Sequence, residues 1–144
     1  MAFALKKVRS ASALTLIPLI LGRRLPEEML AKLTAEVTNP SFYMTDCGIG
    51  SECQQSGRYD LEATARGRIV SGIEMLLLEG LKASGREAAA KTAAEKWLKA
   101  VAEKGFGLAL DPKGTAKQDI GMFSPDNVFY SLSAAAYLFV VSEI

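Results

Sequence analysis

From Val128 to Val141 the chain runs fourteen residues without a charge, interrupted only by serines and the amphipathic Tyr130 and Tyr137. A helix here has no polar side to give to water. It must lie at the centre of a bundle, or half in a core and half in a contact with another chain. It is too short to cross a bilayer, which takes about 20 residues. This segment predicts a mainly α single domain: a helical bundle with a kinked N-terminal helix and one or two small β-hairpins. Abundant alanine and few aromatic residues agree with helices rather than sheets. At 144 residues the chain is one domain by length.

The other helices read from their periodicity. Residues 4–22 form an apolar segment kinked by Pro18, which removes a backbone donor and crowds the preceding turn. Pro26 opens a second helix, and Asn39-Pro40 ends it. Leu61, Ala65, Ile69, Ile73, Leu77 and Leu81 recur every four residues and predict a helix over 60–83. Within it Glu62 stands four residues before Arg66, the spacing of a helical ion pair. Ser84-Gly85-Arg86-Glu87 reads as a capping box for a helix running to about Lys104, with Gly105 as its stop. Glu87, Lys91, Glu95, Lys99 and Glu103 mark its wet face, and Ala90, Ala94, Trp97, Leu98 and Val101 its core face. Two long connections remain. Residues 41–60 suggest a hairpin turning near Gly48–Ser51. Residues 105–123 suggest another, pairing Phe106–Leu110 with Thr115–Ile120 around the type I turn Asp111-Pro112-Lys113-Gly114.

Charge is distributed unevenly. Lys6, Lys7, Arg9, Arg23 and Arg24 precede the first acid, Glu27, whereas the remaining 118 residues hold 12 basic and 16 acidic side chains. This divides the chain into a basic, apolar arm (1–25) and a helical body (26–144). Such an arm suits an anionic surface. Those five residues and Arg68, which has no carboxylate four positions away on either side, are the expected contacts to nucleic-acid phosphates, DNA or RNA. Phe129, Leu132, Ala136, Phe139 and Val140 are the expected subunit interface.

There is no histidine, so the commonest general base and metal ligand is missing. Cys47 and Cys53 are either free thiols or a disulfide worth about 2 kcal/mol at most. They cannot fill a tetrahedral zinc site alone. Cys47-Gly48-Ile49-Gly50-Ser51 lacks the further residues of a dinucleotide or phosphate loop. No cofactor or metal is expected.

Together these readings predict a non-catalytic, self-associating subunit of a nucleoprotein complex, located in a virion or the cytoplasm and not transmembrane. The most concrete form is a coat or nucleocapsid-type capsid protein. The architecture resembles small helical coat proteins of filamentous viruses, and equally the small helical subunits of RNA-guided effector complexes. The rival reading is a small enzyme or ligand-binding domain with its site in loops 41–60 and 105–124.

Overall fold

The computed structural model describes residues 11–113 and 129–143. The fold is mainly helical with two small antiparallel sheets, as the patterning predicts. In chain order it comprises a 3-10 helix (Ala13–Arg24), α1 (Glu27–Val37), β1 (Met44–Thr45), β2 (Gly48–Ile49), β3 (Ile69–Val70), α2 (Ser71–Ala83), α3 (Glu87–Lys104), β4 (Ala109–Leu110) and α4 (Phe129–Glu143).

α2 is the axis of the molecule, with the 3-10 helix, α3 and α4 packed around it. Its core face is Glu74, Leu77, Leu78 and Leu81, the i, i+3, i+4, i+7 positions of one helical stripe. α3 meets it with Ala90, Ala93, Ala94, Trp97, Ala100 and Val101, all buried. Small residues flanking one large ring let the two helices approach closely around Trp97. The alternating charges of α3 face water as expected, with Lys99 and Glu103 3.9 Å apart.

The N-terminal segment winds as a 3-10 helix with Pro18 inside it. Ala13, Leu16 and Leu19 are fully buried. Its entry is stitched to the loop at 51–53: Ala13 N–H donates to Ser51 O (2.9 Å) and Cys53 N–H to Ala11 O (2.8 Å). The described part of the 1–25 region therefore belongs to the body.

Two helix boundaries differ from expectation. The helix over 60–83 begins only at Ser71. Asp60 N–H donates back to Arg66 O (2.7 Å), Gly67 takes φ +146°, and Ile69–Val70 enters β3. The helical spacing that would join Glu62 to Arg66 is absent. Ser84 caps the end of α2 rather than the start of α3: its hydroxyl donates to Gly80 O (2.7 Å), and α3 begins at Glu87 with no side-chain cap. Ala109–Leu110 pairs with β3, Ile69 opposite Leu110 and Val70 opposite Ala109. The expected partner at 115–120 lies outside the described residues.

The hairpin at 41–60 is present, with its turn not at Gly48–Ser51 but just before it, at Asp46–Cys47 between Met44↔Ile49 and Thr45↔Gly48. α4 splits as an apolar-all-round helix must. Ser133, Ala136 and Val140 are buried, while Leu132, Leu138, Phe139 and Val141 are exposed. Ser133 fixes it in place by donating to Gly107 O (2.7 Å) and pairing with Ser71 Oγ (3.1 Å).

Candidate functional site

The two long connections converge. The Met44–Ile49 hairpin, the loop carrying Gln54 and Tyr59, the middle of α3 and the Pro112–Lys113 turn enclose an open pocket of about 150 Å³.

One wall is the hairpin. Thr45 Oγ1 donates to Gly48 O (2.7 Å) and accepts from Cys47 N–H (3.1 Å), which closes the turn and leaves the Asp46 carboxylate in water. Lys96 of α3 braces it, donating to Thr45 O (2.9 Å) with Asp46 3.8 Å away. On the opposite side Gln54 donates through Nε2 to Pro40 O (2.9 Å), which leaves its carbonyl free of that bond. The aromatic surface is Tyr59. Its ring is seated on Gly67, where any Cβ would lie 2.6 Å from Tyr59 Cε2. Its hydroxyl is buried without a hydrogen-bond partner among the described residues. Burial raises the phenol above its ordinary value, and the nearby charge of Asp111 adds to the rise. Lys113 Nζ stands 6.0 Å from the centre of that ring, within cation–π range.

Beside the pocket, Lys104 Nζ donates to Asp111 O (2.7 Å) and lies 3.5 Å from Cys47 Sγ. The Cys47 thiol faces Pro112 O at 3.6 Å. These contacts fasten the end of α3 to both loops. Cys47 and Cys53 are free thiols, so the disulfide alternative does not form. Among the described residues no group of three carboxylates or cysteines could hold a metal ion.

The expected phosphate contacts are scattered. Arg23 and Arg24 are exposed at the end of the 3-10 helix. Arg68 is buried at 3% exposure, with Nε donating to Leu61 O (2.6 Å). It is a structural clamp on the 60–68 turn and is withdrawn from the set of phosphate contacts. Lys6, Lys7 and Arg9 lie outside the described residues. Of the expected interface residues, Leu132 and Phe139 face outward, Ala136 and Val140 face inward, and Phe129 opens α4.

The pocket brings together a carboxylate, a carboxamide, two ammonium groups and an aromatic face. Hydroxyl groups can pair with each of the polar members, as donors to Asp46 and Gln54 and as acceptors from the lysines. An aromatic ring offers apolar area and a directional edge. This combination suits a small polyhydroxylated ligand.

No protein-family model and no curated protein matches the chain. Solved structures do. An uncharacterized conserved protein from Thermus thermophilus superposes with a TM-score of 0.68 at 18% identity, over 90% of this chain and 32% of that one. A GH63 mannosylglycerate hydrolase from the same organism, in complex with glucose, gives 0.66 at 19% identity over 94% and 32%. The same hydrolase in complex with Tris gives 0.65 at 20% identity over 90% and 30%. The chain thus spans about a third of the length of these proteins, and the likeness shows the fold. It also corrects the functional expectation: the architecture is one found within larger solved proteins, a glycoside hydrolase among them, and not that of a coat or nucleocapsid subunit. Among the described residues no helix is long and apolar enough to cross a membrane.

Proposed function

We propose that this chain is a carbohydrate-binding portion of a glycoside-hydrolase-type helical fold, with the Asp46–Gln54–Tyr59–Lys96 pocket as the sugar site. The observation that carries the reading is the fold likeness, over 94% of the chain, to a mannosylglycerate hydrolase described with glucose. The pocket's donors, acceptors and ring supply the local chemistry. Glycoside cleavage ordinarily takes two carboxyl groups facing each other across the bond. Among the described residues the pocket lining carries one, Asp46. That favours binding over cleavage by these residues alone.

Amide chemical-shift mapping of the chain with glucose and with a methyl glycoside tests this. Perturbations should centre on Thr45, Asp46, Gln54 and Tyr59, with dissociation constants in about the millimolar range. Asp46→Ala, a change at an exposed turn, should weaken binding roughly fivefold, the worth of one hydrogen bond. Absence of shifts at these amides with saturating sugar would overturn the reading.

A further inference from the structure

The pocket wall is held from behind by a residue that never touches the pocket. Glu74 lies in α2 with no solvent exposure. Its Oε2 accepts from Ile49 N–H (2.8 Å), and its Oε1 has no partner among the described residues. Gly48 covers it: with φ +115° and no side chain, it leaves room where a Cβ would sit 2.9 Å from Glu74 Oε1 and 3.2 Å from Trp97 Cβ. Trp97 Nε1 is likewise buried and unpartnered among the described residues. A carboxyl group in such a place is costly. Its one direct bond goes to the hairpin that presents Thr45 and Asp46.

We propose that Glu74 is a positioning residue, latching the Met44–Ile49 hairpin to α2 so that the pocket wall keeps its shape. The inference rests on the reading of that pocket as the sugar site. Two side chains from the helical body grip the hairpin backbone, Glu74 at Ile49 N–H and Lys96 at Thr45 O. The second grip is open to solvent in part, whereas the first is dry. An aliphatic residue would fill the same volume without accepting from Ile49, leaving a buried amide unpaired.

The charged groups of the surrounding elements are engaged elsewhere. Lys96 is spent on Thr45 and Asp46, Lys104 on Asp111 O and Cys47. Arg68 bonds Leu61 O, and Glu52 accepts from the Ser56 hydroxyl (2.6 Å). Among the described residues no cation therefore offsets burial at Glu74. Its carboxyl is held protonated up to about pH 8, the Ile49 N–H opposing that rise only in part. Once ionised, the group must draw water in behind Gly48, and the latch loosens.

Two readouts on the intact chain test this. In the absence of sugar, the protection of the Ile49 amide against hydrogen exchange should fall in the wild type above about pH 8 and hold in Glu74→Gln, which keeps an acceptor oxygen without a titration. With sugar, wild-type affinity should drop roughly threefold or more between about pH 7 and about pH 9, while the glutamine variant stays level. Glu74→Leu should lose Ile49 protection at every pH. If that variant fails to fold, the glutamine comparison still decides. Parallel Ile49 protection profiles in wild type and Glu74→Gln would overturn the latch whether or not sugar binds. No sugar binding at any pH, with diverging Ile49 profiles, would overturn the sugar site and leave the latch standing.

Discussion

Raising the pH from about 5 to about 8 should lower the unfolding temperature of the wild-type protein and leave that of Glu74→Gln nearly unchanged. The folded carboxyl keeps its proton up to about pH 8, against an ordinary value of 4.5. Between those values the native state binds a proton that the unfolded chain has given up. Stability from this group is therefore complete below about pH 4.5, declines as pH rises through the window, and is gone above about pH 8. A proton held that much more tightly in the folded state corresponds to a loss on the order of a few kcal/mol across the window. That is a large part of what holds a domain of this size together. The chain has no histidine, so the side chain that usually dominates this range is missing and the slope is easy to assign. Surface pairs such as Lys82–Glu143 (2.9 Å) are open to solvent and contribute little. Thermal melts in a pH series decide the matter. A wild-type slope that persists in the glutamine variant would show that the proton resides elsewhere.

Glu74 also shows where the sequence could have been read further. It stands three and four residues before Leu77 and Leu78, on the face that carries Leu81, and that face is the core of α2. An acid in register with a buried stripe is a signal. The four-residue row through Ile73 draws the eye one position away from it. The same row places the helix start eleven residues too early, because Leu61 and Ala65 keep the spacing by accident while Gly67 turns the chain with φ +146°. Where helix ends are set by elements with unambiguous chemistry, the reading holds: Pro26 starts α1, and Gly105, at φ +84°, ends α3. Ser84 fits both a helix start and a helix end, and the bond of its hydroxyl to Gly80 O (2.7 Å) shows which. The candidate site was half legible. Loops 41–60 and 105–113 carry it, as long connections often do. That they meet depends on β3 pairing with β4, a contact between distant residues that no local pattern encodes. The functional reading went astray for a physical reason too. Basic residues flanking an apolar segment serve equally to solvate the ends of a packed helix, and Leu16 and Leu19 show that this segment is packed.

Gly80→Leu should destabilise the protein by roughly 3 kcal/mol or more, a large overpacking effect, while Gly72→Ala in the same helix should be neutral or slightly stabilising. Glycine inside a helix costs up to about 1 kcal/mol relative to alanine, so propensity alone favours both substitutions. Packing separates them. A Cβ on Gly80 would stand 2.8 Å from Leu19 Cβ, 2.9 Å from Leu19 C and 3.0 Å from Ile20 N, whereas no described atom lies within 4 Å of one on Gly72. Two of the three obstacles at Gly80 are backbone atoms, which cannot rotate aside. The 3-10 helix would have to lift off α2 along the line where Leu16, Leu19, Leu77 and Leu81 are buried. Because Ser84 Oγ reaches Leu19 O from the end of α2, the lift would strip that bond as well. Even Gly80→Ala should lose stability, since the first added carbon already meets the clash. Chemical denaturation of the three variants gives the ranking Gly72→Ala, then Gly80→Ala, then Gly80→Leu. A Gly80→Ala variant as stable as the wild type would mean that the 3-10 helix sits further from α2 than described, and that the close contact at Leu19 is not what makes glycine necessary there.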